Sequence, residues 1–280
     1  MRSEIVVVIL GRSRGVLIRL LSRLVSRFLV RPRLGLEVTL AGALGATGAR
    51  ANDTYTMQEI VDSGHGFFGS YFQGTGGTIN ALSHTYGFTT VATYIGFSED
   101  IMPIVLGSLG SNLANIRRAV AECQQNIANQ TALARLVREV FPTSEELTVD
   151  GEDGPAAIVD PDEVHYMGIS NGGTFGFLTA ATSTQFERAA LVVGGGGLIH
   201  FLERSVVWNG YSGLFNLLYG NPLSRQYVLS VMQLLLDPVD PINYADHLVH
   251  DRYPGRRPLR ALAIMALYDS QVRNLVSEWV

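Results

Sequence analysis

The fold is decided by one stretch of sequence, VHYMGISNGG at residues 164–173. The apolar strand candidate Val164–Met167 precedes a sharp turn, and a helix-forming segment follows it. A serine on such a strand-to-helix turn sits in strained backbone, and glycines such as Gly168 and Gly172 relieve the crowding around it. The next helix then points its N-terminus at the reaction centre. The pattern predicts a nucleophile at Ser170, and a helix-capping serine in a glycine-rich turn is the alternative.

Short apolar runs alternate with helical stretches on both sides of this turn. The other strand candidates are Glu59–Val61, Phe88–Thr93, Ala189–Val193 and Leu262–Leu267. Residues 104–140 and 199–258 carry helical patterns, whereas residues 143–162 are acidic and rich in glycine and proline, which predicts a surface loop. Strands that alternate with helices predict an α/β fold with an open, mostly parallel sheet and helices on both faces.

A glycine-rich segment, GHGFFGS at residues 64–70, lies about a hundred residues upstream of the turn. Acyl transfer develops negative charge on the substrate carbonyl oxygen, and fixed backbone N–H groups stabilise that charge. A loop after an early strand can supply one such donor, here the amide of Phe67, and the residue after the nucleophile, Asn171, supplies another. The pattern predicts an oxyanion hole, and a purely structural turn is the alternative.

A third feature closes the last predicted strand, where LYDSQV occupies residues 267–272. An acid at the carboxyl end of a late strand can orient a catalytic histidine, which makes Asp269 the candidate acid. A solvent-facing turn aspartate is the alternative.

Taken together, GHGFFGS, GFTTVATYIGFSED, VHYMGISNGG and ALYDSQV resemble the α/β-hydrolase superfamily of serine hydrolases, and more narrowly a bacterial group of large, exported hydrolases of that fold. The resemblance runs from about Asp62 onward. It implies that Ser170 is the nucleophile and Asp269 the acid. Phe67 and Asn171 would form the oxyanion hole. The glycines of the loop would be Gly64 and Gly66. Those of the turn that carries the nucleophile, called the elbow, would be Gly168 and Gly172.

The resemblance also implies a helical cap at about residues 199–258, over the pocket. It would bring several aromatic side chains near an apolar acyl or alkyl group, and plain packing within the cap is the alternative. These side chains are Phe201, Trp208, Tyr211, Phe215 and Tyr219. The implied function is hydrolysis of a carboxylic ester, from a small-molecule ester or acyl substrate, through an acyl-enzyme at Ser170. No metal or organic cofactor is implied, because serine acyl transfer needs none.

The histidine of the triad is the weak point of this interpretation. In this fold the chain order is nucleophile, acid, histidine, yet none of the eleven residues after Asp269 is a histidine. We therefore expect a truncated chain with impaired catalysis, because a serine without a base is a poor nucleophile. The least implausible substitute is His200, which follows the glycine run 194–197. The alternative function is a non-catalytic hydrolase-fold remnant that binds a small ligand or a partner.

Charge divides the chain into two parts. Residues 1–51 carry nine arginines against Glu4 and Glu37, which gives +7, whereas residues 52–280 carry −11, in agreement with the total of −4. The acidic main body excludes a nucleic-acid partner, which would need a basic face. A single cysteine, Cys123, excludes an internal disulfide framework. We expect an N-terminal segment at residues 1–51 and an α/β-hydrolase domain at residues 52–280.

The N-terminal segment has its own pattern. Arg19, Arg23 and Arg27 recur every fourth residue among aliphatic residues, which predicts a basic amphipathic helix. Three interpretations stay open: weak contact with a membrane surface through residues 1–35, an export signal, or non-native sequence. The second of these, with the resemblance, favours an exported protein over a cytoplasmic one.

Overall fold

The structure is a computed structural model that describes residues 4–10, 58–67, 69–74, 77–86, 88–144, 147–151, 154–157 and 159–280. Its strands are β1 (Glu4–Leu10), β2 (Gln58–Gly64), β3 (Phe88–Val91), β4 (Thr148–Gly151), β5 (Gly154–Ala157), β6 (Val159–Ile169), β7 (Arg188–Val192) and β8 (Arg260–Ala266). Six of them form one sheet in the order β1-β8-β7-β6-β2-β3, and all its neighbours are parallel. Parallel neighbours require crossover connections, which the intervening helices supply.

The helices of the described residues are α1 (Gly77–Tyr86), α2 (Met102–Gly110), α3 (Ile116–Glu139), α4 (Asn171–Thr182), α5 (Leu198–Arg204), α6 (Trp208–Leu218), α7 (Pro222–Leu236), α8 (Asp246–Val249) and α9 (Asn274–Ser277). Short 3₁₀ turns are found at Tyr71–Gly74, Leu113–Asn115, Phe141–Thr143, Asp237–Val239 and Pro241–Asn243. Four of the helices, α5 to α8, lie between β7 and β8, where the sequence predicts helical structure.

The sheet separates two apolar cores, because successive side chains of a strand point to opposite faces. On one face Val61, Met167 and Val192 pack with Ile79 of α1. On the other face a larger core surrounds α4, which is buried along almost its whole length. Helices therefore cover both faces, as the sequence predicts, and the central strands β6 and β7 read as nearly continuous apolar runs for that reason.

The α/β prediction is confirmed, and the strand predictions are confirmed in position with small differences at their ends. β6 is the largest difference: it spans Val159–Ile169, whereas the sequence predicts Val164–Met167. The surface loop predicted at residues 143–162 is wrong in part, because it contains the antiparallel pair β4–β5. Gly151 and Gly154 lie opposite each other at the turn of that hairpin, so the glycines that suggested a loop belong to a tight connection between strands.

The N-terminal aliphatic run, which lies within the expected segment 1–51, belongs to the sheet. Glu4–Leu10 forms the edge strand β1, with Glu4 opposite Arg260 and Leu10 opposite Ala266. Its run of valine and isoleucine suits a strand, since β-branched residues fit a pleated surface. The arginine stripe at residues 19–27 lies outside the described residues, and membrane contact through residues 1–35 stays a prediction. No helix among the described residues is long and apolar enough to cross a membrane.

Candidate active site

The turn between β6 and α4 is strained at one residue. Ser170 has φ 59° and ψ −112°, a conformation that L-residues rarely adopt, and it is the residue immediately before α4. Such backbone costs on the order of 1–3 kcal/mol and persists only where the surroundings enforce it. Ser170 is partly exposed, whereas the residues that flank the turn in β6 and α4 are mostly buried. The turn therefore presents the Ser170 side chain, next to the exposed Ile169, at the edge of the packed sheet.

The glycines around Ser170 are required by backbone contacts. A Cβ at Gly168 would lie 2.1 Å from the carbonyl oxygen of Gly172, and a Cβ at Gly172 would lie 2.3 Å from the carbonyl oxygen of Gly64. A Cβ at Gly64 would meet the Tyr166 hydroxyl at 2.3 Å. Real Cβ contacts are never this short, so the two loops can approach each other only as glycine. This close approach is the physical reason for the spacing seen in the sequence.

Hydrogen bonds fix the same turn from three sides. The Ser170 N–H donates to the Val192 carbonyl at the end of β7, at 2.8 Å. The Gly172 N–H donates to the His65 carbonyl at 2.8 Å, and the Tyr166 hydroxyl donates to the Gly172 carbonyl at 2.7 Å. The elbow is thus bonded to the strand beside it and to the loop after β2.

Phe67 and Asn171, the predicted oxyanion donors, line one cavity together with Ser170. Asn171 is the first residue of α4, so its backbone N–H has no acceptor within the helix. The loop that carries Phe67 is shaped by two bonds, from the Gly69 N–H to the Gly66 carbonyl (3.0 Å) and from the Gly66 N–H to Gln73 Oε1 (2.8 Å). The arrangement brings both predicted oxyanion donors to the cavity that Ser170, the predicted nucleophile, also lines.

The cavity has a volume of about 120 Å³ and is lined mainly by apolar side chains. Residues of α2, α5, α6 and α7 form its walls. They include Leu109, Leu198, Phe201, Trp208, Tyr211, Phe215 and Met232. Of the five aromatic residues expected near the substrate, Tyr219 does not line the cavity, because its hydroxyl donates to the Leu109 carbonyl at 3.1 Å.

Asp269 lies in the turn after β8, at the same carboxyl edge of the sheet as Ser170, with β7 between the two strands. Its Oδ1 accepts from the backbone N–H groups of Gln271 (2.8 Å) and Val272 (3.1 Å). Both of those residues line the cavity. The Asp269 carboxyl is therefore held by its own turn, next to two residues of the cavity wall.

His200, the candidate substitute base, is not brought to Ser170. It lies on α5, but the cavity is lined by its neighbours Ile199 and Phe201 on another face of that helix. The His200 side chain is 51% exposed and packs edge-on against Trp279, with ring centroids 5.7 Å apart. Residue 200 faces away from residues 198, 199, 201 and 202, which line the cavity. The sequence alone does not give the residue at which the helix begins, so it could not predict which side chains of the helix face the cavity.

Four other histidines with described side chains are engaged elsewhere. His65 is buried, and burial lowers its pKa. His165 faces the interior from β6, 3.1 Å from Glu163 Oε2. His247 and His250 pair with Asp251 and Asp246 near α8, and no cluster among the described residues could hold a metal ion. Among the described side chains that line the cavity there is no histidine.

Two contributors to the site escaped the sequence analysis. Phe97 lines the cavity and packs edge-on against Phe67, with centroids 6.1 Å apart, although the sequence analysis gave no role to this residue, four positions after the predicted strand Phe88–Thr93. The side chain of Asn171 bonds to the segment Ile95–Phe97, so the residue does more than supply an amide. Its position next to the nucleophile is the only sequence signal for this role.

No protein-family model matches the chain, and no curated protein matches it. Among solved structures it is similar to prolyl oligopeptidase B from Galerina marginata, at 16% identity and a TM-score of 0.46, over 80% of this chain and 26% of that one. It is similar to acetyl xylan esterase 1 from Thermoanaerobacterium sp., at 12% identity and a TM-score of 0.44, over 90% and 88%. An acylaminoacyl peptidase from Pyrococcus horikoshii matches at 14% identity and a TM-score of 0.36, over 80% and 35%.

These proteins are hydrolases by name, and the chain spans about a quarter of the length of the prolyl oligopeptidase it matches. At identities of 12–16% and TM-scores under 0.5, these likenesses assign neither an activity nor a superfamily to this chain. The described residues themselves form a parallel sheet covered on both faces, with a strained serine turn between β6 and α4 and an acidic turn after β8. The chain has an open, parallel α/β fold.

Proposed function

We propose that this chain carries the acylation half of a serine-hydrolase site for carboxylic esters with apolar acyl groups. One observation carries the proposal: Ser170 sits on a strained turn and opens onto an apolar cavity that Phe67 and Asn171 also line. A capping serine would need no positive φ, and its side chain makes no cap hydrogen bond to α4. Strain maintained at an exposed hydroxyl is typical of a reacting group.

The walls of the cavity favour an acyl chain over a polar group. Aliphatic and aromatic residues from α5, α6 and α7 surround the space next to Ser170. Apolar surface gains about 25 cal/mol per Å² when it leaves water, so an alkyl chain binds here and a charged or heavily hydroxylated group does not. We propose that these helices, within residues 199–258, act as the cap that selects the acyl group.

The proposed reaction is an ordinary acyl transfer. Ser170 Oγ attacks the ester carbonyl carbon, and the new Oγ–C bond forms while the carbonyl oxygen takes up negative charge between the amides of Phe67 and Asn171. The bond from carbon to the alcohol oxygen then breaks. The serine proton passes to a base and finally to the departing alcohol.

The proposed reaction needs a general base, which the described cavity wall does not supply as a histidine. Among the described residues of the cavity wall none is a histidine, so we propose that acylation in this chain is slow. Esters are favoured over amides for the same reason, since a departing amine must receive a proton from a catalytic acid whereas an alkoxide leaves more easily. Asp269 would orient a histidine offered to this edge of the sheet.

The proposal is tested by trapping the acyl-enzyme. The folded chain is incubated with p-nitrophenyl butyrate, and the peptide that contains Ser170 is examined by mass spectrometry for the butyryl adduct. We expect the adduct on Ser170, more of it than with p-nitrophenyl acetate, and none in Ser170→Ala. Ser230→Ala, at an exposed serine on α7, is the matched control and should keep the adduct. A folded chain without any adduct on Ser170 would overturn the proposal.

A second candidate function is binding of an apolar ligand without turnover. The absence of a histidine from the described wall of the cavity favours it. The chain has two tryptophans, of which Trp208 lines the cavity and Trp279 does not. In a Trp279→Phe background, Trp208 fluorescence reports on the cavity. Saturable quenching by a medium-chain fatty acid, with no adduct on Ser170 from the ester, would favour this candidate over the first.

A further inference from the structure

Three segments of chain, which contain His65, Ile95–Phe97 and Asn171, meet at the elbow and are joined by hydrogen bonds between side chains and backbone. The Ile95 N–H donates to His65 Nε2 at 3.0 Å. The Asn171 Nδ2 donates to the Ile95 carbonyl at 2.9 Å, and the Phe97 N–H donates to Asn171 Oδ1 at 3.0 Å. The side chains of His65 and Asn171 thus hold both polar groups of Ile95 and the amide of Phe97.

A further hydrogen bond joins the first and the last of these segments directly. The Gly172 N–H donates to the His65 carbonyl at 2.8 Å, which ties the elbow directly to the loop after β2. His65 is 2% exposed, Asn171 4% and Ile95 0%. Hydrogen bonds at such buried positions are stronger than at the surface, and their loss leaves unsatisfied groups that cost about 1–3 kcal/mol each. The three segments therefore behave as one unit.

The ring of His65 has one arrangement of protons that satisfies its contacts. Nε2 accepts from the Ile95 N–H, so it carries no hydrogen. Nδ1 lies 2.8 Å from the Gly66 carbonyl, which can only accept, so Nδ1 carries the hydrogen. Only the neutral Nδ1–H tautomer makes both bonds. A protonated ring would point an N–H at the N–H of Ile95.

We propose that His65 and Asn171 are positioning residues that clamp the segment Ile95–Phe97 between the loop after β2 and the turn at Ser170. This clamp sets the separation of the Phe67 and Asn171 amides. It holds only while His65 is neutral. Phe97 connects the clamp to Phe67, because the two rings pack edge-on against each other. The inference rests on the proposed oxyanion role of the two amides.

The surroundings keep His65 neutral at pH 7. Burial, the largest influence, lowers its pKa from the ordinary 6.5, while the Gly66 carbonyl and the carboxylates of Asp100 and Glu99 act in the opposite direction. Other titratable groups lie on the elements packed around His65 or on β2, the strand that precedes it. They are Tyr94, Tyr71, Tyr166 and Asp62. Protonation, and with it loss of the clamp, therefore occurs on acidification below the ordinary histidine range.

Amide hydrogen exchange tests the clamp without requiring catalysis. Asn171→Asp keeps the size and one acceptor but removes the donor to the Ile95 carbonyl. The Ile95 and Phe97 amides keep their own acceptors, but the segment that carries them loses the bond to the Ile95 carbonyl, worth about 1.4 kcal/mol. We therefore expect the exchange protection of both amides to fall by about tenfold or more. His250→Gln, at an exposed histidine, should leave both amides as they are. Unchanged protection in Asn171→Asp would overturn the proposal.

Two substitutions of His65 separate titration from hydrogen bonding. His65→Gln can place Oε1 where Nε2 accepts and does not titrate, whereas His65→Asn cannot reach Ile95. We expect the native chain to lose Ile95 protection on acidification, His65→Gln to keep it at all pH values, and His65→Asn to lack it throughout. The same pH dependence in the native chain and in His65→Gln would overturn the role of the neutral ring.

A second readout connects the clamp to the site. The rate at which a fluorophosphonate labels Ser170 should fall about 10²-fold in Asn171→Asp, the effect of losing one oxyanion donor. In His65→Gln the labelling rate should lose the part of its acid-side pH dependence that the native chain owes to His65. If the native chain is not labelled while the exchange results hold, the proposed hydrolase function fails and the clamp stands. Normal labelling in Asn171→Asp would overturn the clamp's role.

Discussion

Two turns at the carboxyl edge of the sheet each hold a non-glycine residue at a similar positive φ but are supported differently. Ser170 after β6 has φ 59°, and Tyr268 after β8 has φ 61°. Around Ser170, glycines allow backbone to touch backbone, and three hydrogen bonds tie the turn to neighbouring segments. Tyr268 is 76% exposed, and its turn is held by side chains: the Tyr268 N–H donates to Asn274 Oδ1 at 3.0 Å, and Asn274 Nδ2 donates to the Ala266 carbonyl at 2.7 Å.

This difference separates the two halves of the proposed site. The turn of Ser170, the proposed nucleophile, is built into the packed interior, so any change there affects the fold as well as the proposed chemistry. The turn of Asp269, the proposed acid, lies at the surface and depends on Asn274 and on Asp269 itself. A surface turn can lose or gain a partner without loss of the core, which fits a proposed site whose described cavity wall holds no histidine.

The largest effect should come from Gly172→Ala. Its Cβ would meet the Gly64 carbonyl oxygen at 2.3 Å, and backbone on both sides cannot yield. We expect the free energy of unfolding to fall by about 3 kcal/mol, measured by denaturant titration. Gly213→Ala is the control, because nothing lies within 4 Å of its Cβ position in α6, and it should stabilise by about 0.5–1 kcal/mol. Equal effects of the two substitutions would contradict the close approach of the two loops.

Asn274→Ala should weaken the acid's turn alone. It removes the acceptor for the Tyr268 N–H and the donor to the Ala266 carbonyl, so we expect a loss of about 1–2 kcal/mol in the free energy of unfolding. Exchange of the amides in residues 266–272 should speed up while the elbow stays protected. Equal loosening at Ser170 would show that the two turns are not independent.

Asp62→Asn tests the interior beneath the oxyanion loop. Asp62 is fully buried in β2, and burial raises its pKa well above 3.8. The native state then keeps a proton that the unfolded chain loses, so this group's contribution to stability falls as pH rises from about 4 through its native pKa.

The asparagine variant lacks this titration. We expect it to be more stable than the native chain at pH 8 by on the order of 1 kcal/mol, and the difference to shrink towards pH 4. Thermal unfolding across that range is the measurement. A variant that is less stable than the native chain at every pH would contradict a protonated Asp62.

The smallest effect should come from Tyr268→Gly. The tyrosine is exposed, so little packing is lost, and glycine tolerates the positive φ. Relief of strain, less the added freedom of the unfolded chain, should stabilise by about 0.5 kcal/mol. A clear destabilisation would mean that the Tyr268 side chain supports the turn.

The sequence predicted what local patterns determine. The strand before Ser170 and the glycines around it follow from apolar runs and steric demand, and both the fold class and the strand positions are confirmed. The sequence could not predict the clamp, because Ile95 and Asn171 are 76 residues apart and their bond depends on how two loops pack. It also could not place His200, since one residue of helix phase decides which side chains face the cavity. The edge strand β1 was missed because its register is fixed by β8, far along the chain.

The most direct test of the account is the rate at which a fluorophosphonate labels Ser170 with and without added imidazole. The elbow and the cavity are formed, and the described cavity wall offers no histidine, so an external base should substitute for the internal one. We predict slow labelling of the native chain, acceleration by imidazole of about tenfold or more, and none in Ser170→Ala. Rapid labelling that imidazole does not change would contradict the account by showing an internal base, and no labelling with imidazole would show that the elbow does not present a nucleophile.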